Sequence, residues 1–144
     1  MSSVGYNYAK LSVLLIDDEA FTRQLIRQLL HQVGVKAIAE AANGKDGLLE
    51  ILRTRPDVVF CDVHMKPVGG LEVLRQLRVV KLRAIAETPV VMLTADADAE
   101  TVQAAKENTA NGYLVKPVGM LHLKTRIDAI LAASPKLAEK CRSM

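Results

Sequence analysis

The 144-residue sequence has no tryptophan, two phenylalanines and three tyrosines, so its core has to be built from aliphatic side chains. Such a core suits parallel strands of Val, Ile and Leu packed under helices. Cysteine is nearly absent, and the two present, Cys61 and Cys141, lie too far apart in sequence to read as a disulfide framework. Cys61 sits in an apolar run and reads as a small core residue, whereas Cys141, near the end, reads as an exposed thiol. Neither charge sign dominates, with a formal net charge of +3. The densest basic group, Arg75, Arg78, Lys81 and Arg83, falls within one helical segment and reads as a solvated face, so no nucleic-acid partner is expected. No apolar run reaches the ~18 residues of a membrane helix. The opening MSSVGYNYAK lacks the basic start and apolar stretch of a signal peptide. A soluble, cytoplasmic protein with no membrane partner is the expectation.

What the chain does have is an alternation of two periods. Short apolar runs at 11–16, 36–41, 56–62, 89–94 and 112–116 read as strands. Between and after them, 20–34, 43–55, 71–87, 98–110 and 119–133 read as helices. In the first helix Leu25, Ile26, Leu29, Leu30 and Val33 share a face, and Gly34 is the stop. In the second, Gly47 costs about 1 kcal/mol relative to alanine. The pattern is βα repeated five times, which predicts an α/β fold: a doubly wound, five-stranded parallel sheet with helices on both faces. Residues 1–10 read as an N-terminal extension, 11–133 as the domain and 134–144 as a charged tail.

Open parallel sheets bind ligands beyond the carboxyl ends of their strands. Those ends carry Asp17 and Asp18, Asp62, Thr94 and Lys116. An Asp-Asp pair alone reads as a helix cap; the other strand-end residues outweigh that reading. Three neighbouring carboxylates raise one another's pKa unless a cation intervenes, and Mg²⁺, which prefers oxygen ligands, is the natural one. A carboxylate can also attack phosphorus and hold the group as an acyl phosphate. Asp62, ending the middle buried strand, is best placed to do so, with Lys116 to neutralise a phosphoryl oxygen and Thr94 to donate a hydrogen bond. The Lys116-Pro117 bond is a candidate cis peptide, although most such bonds are trans.

Over about residues 10–133 the chain resembles the receiver domain of two-component response regulators. The resemblance rests on Asp17-Asp18, the phosphoacceptor segment FCDVHMKP, Thr94-Ala95 and Lys116-Pro117, in that order. It implies a flavodoxin-like receiver fold and a chemotaxis-regulator-like, stand-alone response regulator. Asp62 would accept phosphate from a sensor histidine kinase or histidine phosphotransfer protein. Asp18 would ligate Mg²⁺ directly and Asp17 largely through water, with Asp62 and the His64 backbone carbonyl completing the protein ligands. Thr94 and Tyr113 would form a switch pair acting on a downstream effector that reads the fourth helix, fifth strand and fifth helix. By the same analogy the kinase side would dock near Arg23, Gln24 and Arg27.

Three features depart from the commonest receiver pattern. Lys66 is inserted before Pro67, Gly69-Gly70 replaces Asp-Gly and is expected to loosen the turn, and RVVKLRAIAE stays apolar where a polar turn is usual. That last stretch is either a long helix buried against a partner or a structured loop. His64 and Asp96, two residues beyond the acceptor and the switch threonine, imply moderate self-dephosphorylation. A phosphate sink or relay intermediate shares the same site chemistry. An Mg²⁺-dependent aspartyl phosphatase wants a second Asp where His64 stands, and a flavodoxin-like ligand binder wants a phosphate-cradling loop where the acidic DDEAFTR stands.

Overall fold

The computed structural model describes residues 5–96 and 98–143. Five parallel strands, β1 (Ser12–Ile16), β2 (Ala37–Ala41), β3 (Val58–Asp62), β4 (Val90–Thr94) and β5 (Tyr113–Val115), lie in the order β2-β1-β3-β4-β5. After β2 the chain crosses over β1 to lay down β3, so the strand order reverses between β1 and β3. Around the sheet run α1 (Ala20–Val33), α2 (Gly44–Thr54), α3 (Gly70–Arg78), a single turn α4 (Arg83–Ala86), α5 (Ala99–Glu107), α6 (Met120–Ala133) and α7 (Pro135–Lys140).

The period-two alternation of the strands makes two cores. Val13 and Leu15 of β1, Phe60, Val91 and Leu93 point to one face, where Ile26 and Leu30 of α1 and Leu123, Ile127 and Leu131 of α6 cover them. Leu14, Ile16, Val59, Cys61 and Met92 point to the other, under Ile51 of α2 and Val73, Leu74 and Leu77 of α3. Both faces are therefore apolar, as continuous Val/Ile/Leu runs require. Gly47 has a packing reason for its helical cost: a Cβ there would lie 2.5 Å from Ile16 Cδ1.

The segment 71–87 is not one helix. α3 stops at Arg78, the chain turns, and α4 resumes at Arg83, so the structured loop is the form adopted. Its apolar residues divide: Ile85 is buried and Val80 packs on the core, while Val79 and Leu82 face solvent. Arg78 explains the reversal. Its guanidinium donates to the carbonyls of Ala86 (2.9 Å) and Thr88 (2.7 Å), and to Thr109 and Asn111 Oδ1 (3.0 Å) in the α5–β5 turn. The sequence reading of Arg78 as part of a solvated face is thus corrected.

The tail differs too. Ser134 caps α7 by accepting from the Leu137 N–H, Pro135 occupies the first turn, and Leu137 and Cys141 are buried in the first core. Cys141 is not an exposed thiol: it is fully buried, and that burial pushes its pKa up. The N-terminal segment meets the tail, with the Asn7 N–H donating to the Cys141 carbonyl at 2.7 Å. Tyr8 Oη donates to Asp128 of α6 at 2.6 Å. Among the described residues no helix is long and apolar enough to cross a membrane.

Candidate functional site

β1, β3, β4 and β5 end at the same edge of the sheet, and each delivers a polar residue there. β1 ends into Asp17-Asp18, β3 ends in Asp62, β4 ends in Thr94 and β5 leads to Lys116. β3 lies between β1 and β4, so Asp62 is central. Asp17 and Asp62 are buried and Asp18 is exposed, and the three place one carboxylate oxygen each within 4.8 Å of one another. Lys116 Nζ reaches into the group, 2.9 Å from Asp17 Oδ2 and 3.4 Å from Asp62 Oδ1. It also lies 3.4 Å from Glu19 Oε1, a contact that sequence reasoning missed, although Glu19 directly extends the acidic pair.

Burial, and then the charge of Asp17, push the Asp62 pKa above the usual carboxylate value; Lys116 and the His64 N–H, 3.2 Å from Asp62 Oδ1, pull the other way. Burial lowers the Lys116 pKa, but Asp17, Asp62 and Glu19 together outweigh it and leave it raised. Three aspartates against one ammonium leave a formal excess of two negative charges. Asp17 Oδ2 is buried, and Lys116 Nζ lies 2.9 Å from it, an ammonium that Asp17 shares with Asp62 and Glu19. One ammonium shared among several carboxylates leaves buried negative charge under-neutralised, which costs stability unless a further cation meets it. The excess charge and the all-oxygen donor set fit a divalent metal.

Other predicted residues lie around this centre. Thr94 is buried, and its hydroxyl donates to the Asp96 carbonyl at 2.8 Å while accepting the Asp96 N–H at 3.1 Å. Tyr113 is 39 % exposed, on the outward side of β5 with Val115, while Leu114 points in. Asp17, Asp18, Asp62 and Lys116 are thus brought together, Thr94 shares their edge, and Tyr113 faces away from the core. His64 is exposed and touches Asp62 through its backbone N–H. The Lys116-Pro117 bond is cis.

The turn after Asp62 is tight rather than loose. Gly70 packs so closely that a Cβ would lie 2.0 Å from the Asp62 carbonyl oxygen, and its N–H donates to Val63 O at 3.0 Å. Arg23 and Arg27 are both paired with Glu40, at 2.8 and 2.6 Å. Beside the acid cluster a cleft of about 240 Å³ is lined by Glu19, Phe21, Leu25, Lys116 and Pro117, among others.

A parallel sheet ordered β2-β1-β3-β4-β5 with this acid-and-lysine edge defines a signalling receiver, and the comparisons agree. Residues 13–128 match the response regulator receiver domain, and the chain belongs to that family, whose members are phosphoacceptors in two-component signalling. It is 35% identical over 127 residues to an uncharacterized response regulatory protein of Vibrio cholerae, covering 88% of this chain and 51% of that protein. It is 31% identical over 129 residues to the sensory/regulatory protein RpfC of Xanthomonas campestris pv. campestris, covering 89% of this chain and 18% of that one. The chain thus spans about half or less of the length of these curated relatives. Among solved structures, chemotaxis protein CheY4 of Vibrio cholerae aligns with a TM-score of 0.76 at 30% identity, covering 83% of this chain and 98% of that one. A response regulator of Chloroflexus aurantiacus aligns with a TM-score of 0.78 at 30% identity, over 85% and 98% of the two chains.

Proposed function

We propose that Asp62 accepts a phosphoryl group from a phosphohistidine on a sensor histidine kinase or histidine phosphotransfer protein, and that the modified chain signals by binding an effector. The observation that carries this reading is Lys116 held between Asp17 and Asp62 beside a carboxylate trio with surplus negative charge. Asp17, Asp18 and Asp62, with the His64 backbone carbonyl, would hold Mg²⁺, which when bound supplies charge neutralisation to phosphoryl oxygens.

The chain's own groups do the rest. An ionised Asp62 oxygen attacks phosphorus as the N–P bond of the donor breaks. The electron pair of that bond stays on the ring nitrogen, and the imidazole leaves neutral with the proton already on its other nitrogen. Lys116 favours ionised Asp62 beforehand and neutralises a phosphoryl oxygen afterwards. The Thr94 hydroxyl exchanges its Asp96 carbonyl acceptor for a phosphoryl oxygen. Tyr113 then moves from its exposed position, and the surface of α5, β5 and α6 changes for the effector. The donor docks on α1 near Arg23, Gln24 and Arg27, with Phe21 and Leu121, 77 % and 73 % exposed, offering apolar surface. Asp96, exposed beside Thr94, is placed to orient water, so the phosphorylated form turns over rather than persisting for many hours.

Intact-mass spectrometry after incubation with acetyl phosphate, with and without Mg²⁺, tests the reading on wild type and Asp62→Asn. One Mg²⁺-dependent phosphoryl adduct, absent from the variant, is expected. An unmodified wild type, or an adduct retained by the variant, sinks the assignment.

A further inference from the structure

A cleft of about 510 Å³ opens at the amino ends of β3 and β4, the opposite edge of the sheet from Asp62. One wall is α4; the other is the corner between α6 and α7. Pro56, Ile85, Pro89, Ile130 and Leu137 form an apolar floor. The volume falls in the range of roughly 300–1,000 Å³ typical of small-molecule sites. An apolar floor of this size suits the body of a small molecule.

Its charge follows from the rim. The two rim acids are already neutralised: Asp57 Oδ2 accepts from Lys140 Nζ at 2.6 Å and from Ser12, and Glu87 Oε2 accepts from Arg83 at 2.8 Å. The rim cations Arg55 and Lys136 have no ion-pair partner among the described residues. Asn111 Oδ1 accepts from the Val90 N–H (2.9 Å) and Arg78 (3.0 Å), which leaves its side-chain NH₂ to donate. Arg55 also caps α2 in the left-handed region, at φ 50, where glycine is the usual residue. The cleft thus offers positive charge and donors above an apolar floor.

We propose that this cleft binds a small organic anion with an apolar body, a medium-chain carboxylate in its simplest form. Its carboxylate meets Arg55 and Lys136, and its chain lies on Pro56, Ile130 and Leu137. The site is separate from Asp62 and does not depend on phosphorylation.

Amide ¹H–¹⁵N NMR titration of the full chain with decanoate, without Mg²⁺, is the test. Saturable shifts at Ile85, Thr88, Asn111, Ala133 and Leu137 are expected, unchanged in Asp62→Asn. Combining Arg55→Ala with Lys136→Ala weakens binding at least tenfold, decanol binds at least tenfold more weakly than decanoate, and Ala129→Trp blocks the cleft. Shifts centred on Phe21 and Pro117, equal affinity for decanol, or undiminished affinity in the double variant overturn the proposal. So does an acidic peptide that shifts the same amides when decanoate shifts none. Because Asp62→Asn is included, a failure here is distinguishable from a failure of the phosphoacceptor assignment.

Discussion

Replacing Asp62 with asparagine should stabilise the metal-free protein, although it removes the residue on which the proposed function depends. Asp17 and Asp62 oxygens lie within 4.8 Å, where two unit charges repel by roughly 3.5 kcal/mol at an effective dielectric near 20. Asp18 is exposed, so its repulsion is screened to about 2 kcal/mol. Lys116, 3.4 Å from Asp62, returns roughly 5 kcal/mol. These terms nearly cancel, and the burial of the Asp62 carboxylate, the largest cause of its raised pKa, tips the balance to net cost. A gain of about 1–3 kcal/mol follows for Asp62→Asn in EDTA, or roughly 3–9 °C in Tm for a domain of this size.

The pH dependence has a definite sign. Asp62 titrates higher in the folded protein than in the unfolded chain, so the folded state binds more protons between the two values. Stability therefore falls as pH rises through that window and stays low above it. Urea denaturation in EDTA across mildly acidic to neutral pH reads both effects, and Asp62→Asn should lose that part of the slope. Adding Mg²⁺ should stabilise wild type more than the variant, closing the gap. Equal or lower stability of Asp62→Asn in EDTA at neutral pH would refute the argument that the cluster is electrostatically strained.

Lys116→Met removes the one ammonium among these carboxylates; it should cost about 2–4 kcal/mol in EDTA and slow acetyl-phosphate labelling. The Lys116 pKa is raised, so its stabilisation is complete below the ordinary lysine value and is lost only as pH climbs through the raised one. The denaturation gap to wild type should stay constant near neutrality and shrink in alkali. Gly70→Ala forces a methyl against the fixed Asp62 carbonyl, and a loss of about 1–3 kcal/mol or more is expected by denaturation, with slower phosphorylation. Leu137→Ala should cost about 2–4 kcal/mol by the same measurement, because α7 is docked into the first core.

The parts of this molecule that were legible in its sequence are those set by short-range pattern. Continuous aliphatic runs marked β1, β3 and β4, and helical spacing placed Ile26 and Leu30 under the sheet. The strand-end rule then gathered Asp17, Asp18, Asp62 and Lys116, because in a parallel sheet every strand delivers its last residue to one edge. What escaped depended on contacts distant in sequence. Arg78 looks like any exposed helical arginine until the turns at 86–88 and 109–111 arrive beside it. Cys141 looks exposed until the N-terminal segment and α6 close around it. Gly69-Gly70 looked permissive, yet Gly70 is needed because the Asp62 carbonyl occupies the space of its missing side chain.

The contacts of Arg78, Lys140, Ser12 and Tyr8 share a location. Arg78 ties α3 to the starts of β4 and β5, and Lys140 and Ser12 meet on Asp57 at the start of β3. Tyr8 joins the N-terminal segment to α6. All of them cross-link the amino ends of the strands, while the carboxyl ends hold mutually repelling aspartates that share Lys116. Arg78 in particular fixes the turn that follows α5, whereas at the start of α5 the described contacts are local ones, the Asp98 cap and the Thr94 hydroxyl bonds to Asp96. A change of charge at Asp62 therefore meets its least resistance at the Thr94–Asp96 loop and its greatest at Asn111. Movement of α5 should be a swing about its pinned carboxyl end rather than a shift of the whole helix.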